Sequence, residues 1–127
     1  MKVLVFGSRK WMNQGAVERE LKRLPPGTIV VHGAAPGADN IGGYAASRLG
    51  FEVRPYPANW KEHGPAAGPL RNQQMLDEEH PDKQGVVLDL AICFHEDPHL
   101  GKGSKDMRER IQLAEPAIEL RIIRPGA

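Results

Sequence analysis

The chain has one cysteine, Cys93, in 127 residues. A single thiol forms no intramolecular disulfide and builds no zinc–thiolate cluster, and its scarcity fits a reducing cytosol. An excess of one charge is also missing, with Lys+Arg 17 against Asp+Glu 16. That balance excludes a global polycation of the kind that grips nucleic acid nonspecifically and leaves only local basic patches. No apolar run is long enough to cross a bilayer, and the opening Met1-Lys2-Val3-Leu4-Val5-Phe6-Gly7 is too short for a signal peptide. Neither a Gly-x-x-x-x-Gly-Lys-Ser/Thr loop nor a Gly-x-Gly-x-x-Gly after the first strand occurs, which removes a Walker A site and disfavours an ordinary nicotinamide dehydrogenase. No repeat or low-complexity tract is visible. The expectation is a cytoplasmic protein without a membrane segment, a metal or a resident cofactor.

What is there is ordinary for a folded chain: 40% apolar and 26% charged residues, at a length that suits one compact domain over 1–127. Residues 2–6 are apolar and β-branched and stop at Gly7-Ser8-Arg9, as a buried strand does. Val17, Leu21 and Leu24 recur at helical spacing before Pro25-Pro26-Gly27. A second strand over 28–31, a helix marked by Ile41, Ala45 and Leu49, a strand over 51–55 and a helix over 66–76 follow. The apolar run 86–94 predicts a fourth strand, Met107, Ile111 and Ala114 a fourth helix, and 117–123 a fifth strand. The polar stretch 77–84 reads as a loose surface loop. This alternation predicts an α/β, Rossmann-like three-layer domain with a mostly parallel five-stranded sheet and right-handed crossovers. Ligands of such sheets sit outside the carboxyl ends of the strands, so the loops after strands one, two and four should meet at one site.

Those loops concentrate the residues with chemistry. Gly7-Ser8-Arg9 offers close backbone approach, a hydroxyl and a bidentate cation. In Gly33-Ala34-Ala35-Pro36-Gly37-Ala38-Asp39 small residues lead to a helix N-terminus with donors for an anion. Asp39 there is either a helix cap or a functional residue that holds a ribose hydroxyl or orients Arg9. Gly101-Lys102-Gly103-Ser104-Lys105-Asp106 is a third glycine loop, again suited to phosphate. Trp11 and Trp60 flank the expected cleft, and either could stack on a base or lid the core. Cys93, inside an apolar run, reads as a core residue. His95-Glu96-Asp97-Pro98-His99 has the look of a metal site, but Pro98 makes it a polar loop.

Taken together and in order, Gly7-Ser8-Arg9 with Trp11, His32-Gly33-Ala34-x-x-Gly37-Ala38-Asp39, Pro57-x-x-Trp60, Gly64-x-x-Ala67-Gly68-Pro69-x-Arg71-Asn72-x-x-Met75, and Asp89-Leu90-Ala91-Ile92-x-Phe94 leading to Gly103-Ser104-x-Asp106 closely resemble the YspA-like branch of the SLOG superfamily. The resemblance covers nearly the whole chain. It implies a Rossmann-like domain that binds a nucleotide or nucleotide-derived ligand, with Gly7, Ser8, Arg9, Gly33, Gly37, Asp39, Arg71, Asn72, Gly103, Ser104 and Asp106 near it; Ala38, Trp60 and Gly101 join that set as neighbours. Related proteins include the Lonely-Guy phosphoribohydrolases, the single-strand DNA binder DNA-processing protein A, and domains assigned to nucleotide sensing. Lonely-Guy enzymes carry Pro-Gly-Gly-x-Gly-Thr-x-x-Glu after the fourth strand. Here Leu100 replaces the Pro, Lys102 the second Gly, Ser104 the Thr, and Met107 the Glu, with Asp106 one residue earlier.

The leading expectation is a nucleotide sensor or sequestering protein for a nucleoside monophosphate or ADP-ribose type ligand. The alternative is a phosphoribohydrolase-like N-glycosidase, in which Arg9 and Arg71 hold phosphate and Asp106 or Asp39 stabilises the developing ribose cation or activates water. Single-strand nucleic-acid binding ranks third, lowered by the neutral net charge. A homodimer is expected only by analogy with relatives.

Overall fold

The computed structural model describes residues 1–97 and 99–126. Its elements run β1 (Lys2–Gly7), α1 (Gln14–Lys22), β2 (Ile29–His32), α2 (Ala38–Arg48), β3 (Glu52–Pro55), the one-turn α3 (Trp60–His63), a 3-10 turn (Gly64–Ala66), α4 (Ala67–Glu79), β4 (Leu90–Phe94), α5 (Lys102–Gln112) and β5 (Glu119–Ile123). The five strands form one all-parallel sheet in the order β3-β2-β1-β4-β5. The central strands are apolar on both faces because both are covered, whereas the edge strands β3 and β5 mix exposed and half-buried positions.

Successive residues of β1 supply two cores. Val3 and Val5 pack with Val17 and Leu21 of α1 and Ala45 and Ala46 of α2. Leu4 and Phe6 pack with Met75 and Leu76 of α4 and Met107 and Ile111 of α5. The chain moves outward from β1 to β3 with its helices on one face, then returns to β4 and β5 with its helices on the other. One crossover hand satisfies both moves. Asn13 caps α1 by accepting the Ala16 N–H at 3.0 Å.

Three details differ from the sequence expectation. Residues 77–84 are not a loose loop: α4 runs through Glu79, and Glu79 and His80 are buried. The cause is Lys2, whose side chain is 1% exposed and whose Nζ lies 3.0 Å from both Glu79 Oε1 and Asp82 Oδ2. Glu79 also accepts hydrogen bonds from Arg54 Nη1 (2.8 Å) and the Tyr56 hydroxyl (2.6 Å). Secondly, the fourth strand is shorter than 86–94. Its expected first residues are spent elsewhere: Val86 N–H on Asp82 Oδ1 (2.9 Å) and Leu88 N–H on His80 Nδ1 (2.9 Å). Thirdly, Trp60 opens a short helix rather than lying in open loop, because Asn59 caps it by accepting the Glu62 N–H at 3.1 Å.

Candidate functional site

All the loops singled out by sequence leave the same carboxyl edge of the sheet, and several make direct contact. Gly7 ends β1 against the Phe94 carbonyl, where any Cβ would collide with the end of β4. Ser8 then joins both neighbouring loops: its N–H donates to Phe94 O (2.9 Å), and its carbonyl accepts the Ala38 N–H (3.0 Å). Gly37, at φ +78°, lies against the Ser8 and Arg9 backbone, so glycine serves here both the positive φ and the close approach. The first two loops therefore form one packed unit.

Beside it, Gly33 lies between Asp39 and Arg71. Asp39 Oδ2 accepts the Gly33 N–H at 2.9 Å and the Ala35 N–H at 3.4 Å. Arg71 Nη1 donates to the Gly33 carbonyl, and its Nε donates to Asn72 Oδ1 at 3.0 Å. Asn72 in turn donates to Asp106 Oδ2 (3.0 Å), and Arg110 Nε donates to the same oxygen at 2.8 Å. A polar chain thus runs from the loop after β2 through α4 to α5. Arg71, expected from the sequence to hold phosphate, braces this backbone through its Nη1. Asp106 is likewise a tied carboxylate: burial pushes its pKa up, but hydrogen bonds from Arg110 and Asn72 outweigh this and hold it below the ordinary value.

Asp39 behaves oppositely. Burial pushes its carboxyl up to about 6, even though Arg71, the Ala35 and Gly33 N–H groups and Arg9 all pull downward. His32, at the end of β2, is shifted down by burial and by Arg71, which favours the neutral ring.

Arg9 is exposed, with its guanidinium 5.2 Å from the centre of the Trp60 ring. The edge of Trp60 rests on Gly68, where an added Cβ would come within 3.3 Å. The two tryptophans divide the roles left open for them. Trp11 is 3% exposed and packs on Phe94 in the core, while Trp60 is 47% exposed beside Arg9.

The third loop departs from expectation. Gly101 precedes α5 as its N-cap, and Gly103, Ser104 and Asp106 lie within the helix. Ser104 is buried, and Gly103 faces open space. The helix N-termini also differ. At α2 the Ala38 N–H is spent on Ser8 O and the Asn40 N–H on Ala35 O, whereas α5 opens at Gly101 with no side-chain cap. Donors for an anion therefore remain at α5 more than at α2.

Glu96, which the sequence offers only as part of a polar loop with the look of a metal site, touches the first loop. It lies two residues beyond β4, and its Oε1 accepts the Ser8 Oγ–H at 2.6 Å. Position alone was the available signal, since any polar residue just past a central strand end falls on this edge. His95 next to it is buried, its ring nitrogens each 3.0 Å from a backbone nitrogen, of Asp97 and of Gly101. Pro98, on which the loop reading of this stretch rested, lies outside the described residues. Among the described residues no group of three or more His, Cys, Asp or Glu side chains is arranged to hold a metal ion. No helix among them is long and apolar enough to cross a membrane. Cys93 is wholly buried, and burial pushes its thiol up to about 12.

Residues 1–63, which hold the first two glycine loops and Trp60, match the YspA, cpYpsA-related SLOG family. The chain is also 42% identical over 84 residues to the Gene 61 protein of Mycobacterium phage D29, an alignment covering 59% of this chain and 67% of that protein. The chain belongs to the YspA, cpYpsA-related SLOG family. No solved structure matches it. The matched SLOG segment ends just after Trp60, so α4 and α5, with Arg71, Asn72 and Asp106, lie beyond it.

Proposed function

We propose that this SLOG chain binds a nucleotide or nucleotide-derived ligand, of nucleoside monophosphate or ADP-ribose type, at the carboxyl edge of its sheet, and acts as a sensor or sequestering protein. The observation that carries this reading is the packing of the loops after β1 and β2 into one unit, with Gly37 against Ser8 and Arg9 and with Asp39 and Arg71 around Gly33. That unit leaves Arg9 exposed over Trp60, a cation beside an aromatic face. Arg9 supplies charge to a phosphate, and Trp60 supplies a stacking surface to a base. A binder is favoured over an enzyme because both oxygens of Asp106 are engaged, by Arg110 and Asn72.

The second reading, hydrolysis of an N-glycosidic bond, draws support from Asp39 alone, whose pKa of about 6 suits proton transfer near neutrality. One screen separates the two. Nucleoside monophosphates, ADP-ribose, NAD and cyclic nucleotides are tested for thermal stabilisation and for release of free base. Stabilisation with intact ligand supports the binder, and base release lost in Asp39→Asn supports the enzyme. Arg9→Ala should weaken a nucleoside monophosphate by about tenfold or more, the loss of a charge-assisted hydrogen bond, and its nucleoside far less. Equal weakening of both by calorimetry overturns the phosphate role of Arg9. A homodimer remains a proposal by analogy, to be read by sedimentation.

A further inference from the structure

The strand order places the topological switch between β1 and β4, because the chain leaves β1 toward β2 and β3 and then crosses back to β4 on the other side. The loops after these two strands flank the position where parallel α/β sheets take their ligands. Ser8 comes from the first loop and Glu96 from the second, and the two side chains are hydrogen-bonded to each other. Ser8 is fixed: its N–H is on Phe94 O (2.9 Å), its Oγ accepts the Lys10 N–H (3.0 Å) and its hydroxyl proton goes to Glu96 Oε1 (2.6 Å). Glu96 is exposed, and besides Ser8 its carboxylate is held by its own backbone N–H. Asp106 and Asp39, the carboxylates that the sequence singled out, are more enclosed. Asp106 is engaged at both oxygens, and Asp39 is 5% exposed with Oδ2 on two backbone N–H groups.

A pinned, exposed carboxylate accepts hydrogen bonds and donates none, so it suits hydroxyls and repels phosphate. We propose that Glu96, positioned by Ser8, is the hydroxyl-binding residue of this site and selects ligands with a free ribose diol over 2′-deoxy and 2′- or 3′-phosphorylated ones. The proposal rests on the nucleotide reading above and adds to it the sugar that is taken. Glu96 contacts the ligand, and Ser8 acts only through Glu96.

The test compares AMP with dAMP, and ribose 5-phosphate with 2-deoxyribose 5-phosphate, by calorimetry on the whole chain. The unaltered protein should prefer the ribo form by about tenfold, the scale of one hydrogen bond to a charged group. Glu96→Ala, at an exposed position, should bring that preference to about twofold or less while dAMP affinity changes less than about threefold. Ser8→Ala keeps the carboxylate but frees it, and should leave an intermediate preference; a fold that is intact but has unchanged preference would remove Ser8 from the proposal. Glu96→Gln should raise affinity for adenosine 2′-monophosphate by relieving repulsion. Equal binding of AMP and dAMP by the unaltered protein, or a preference that survives Glu96→Ala, overturns the assignment and leaves the nucleotide reading standing. Failure of every nucleotide and sugar phosphate to bind overturns both.

Discussion

The two ends of the sheet handle charge in opposite ways. At the amino end Lys2 is buried and closed in by Glu79 and Asp82, and its backbone N–H is taken by Asp89 (2.8 Å). Glu79 is further satisfied by Arg54 and Tyr56. At the carboxyl end Arg9 and Glu96 are exposed and Asp39 is buried at a raised pKa. Closed pairing at one end fastens α4 to the sheet. At the other end charges are left where a solute can reach them. The contrast separates groups that hold the fold from groups available to a ligand.

The sharpest way to break this contrast is Lys2→Met. It keeps the buried stem but leaves Glu79 without its ammonium, and removing one partner of a buried pair costs about 3–5 kcal/mol. Urea denaturation should record a loss of that size; a loss below about 1 kcal/mol would mean the amino-end network contributes little.

Asp39→Asn comes next. The folded pKa of about 6 lies above the ordinary carboxylate value of 3.8, so the folded protein holds this proton where the unfolded chain releases it. Stability from this group is therefore greatest below about pH 4, falls as pH rises toward 6 and is flat above. A shift of about two units corresponds to roughly 2–3 kcal/mol. The amide still accepts the Gly33 N–H but cannot ionise. The variant should lose that slope across pH 4 to 6.5, and at pH 7.5 should match or exceed the parent in urea midpoint. An unchanged slope would move the titration to another group.

The smallest effect on stability should come from Arg9→Ala, within about 1 kcal/mol, since an exposed cation–π contact is worth that or less. Its large effect belongs to ligand affinity. A variant that loses several kcal/mol of stability would place Arg9 among the groups that hold the fold.

The fold was legible because each of its elements is written locally. The runs of β1 and β4, the spacing of Val17 and Leu21, and the Pro25-Pro26-Gly27 stop each need only a few neighbours to interpret. Much of the carboxyl edge followed from the same logic, since a glycine just past a parallel strand must fall there. What stayed hidden depends on partners far apart in sequence. Lys2 meets Glu79 across 77 positions, and Ser8 meets Glu96 across 88. Local polarity made 77–84 resemble a solvated loop, and the histidines around Glu96 suggested a metal rather than Ser8 as its partner. The direction of Arg71 was equally invisible, because a helix position does not reveal which backbone carbonyl a long side chain will find.

The placement of the two tryptophans gives the protein its own optical reporter. Trp11 is sealed against Phe94, while Trp60 lies half in solvent under a guanidinium. Their emission should differ in wavelength, the sealed ring to the blue and the open one to the red. A solute that draws Arg9 away or covers Trp60 would change only the red component, leaving the blue one as an internal standard. Occupancy of the carboxyl edge can thus be followed by intrinsic fluorescence, with no label attached and no knowledge of which solute is bound.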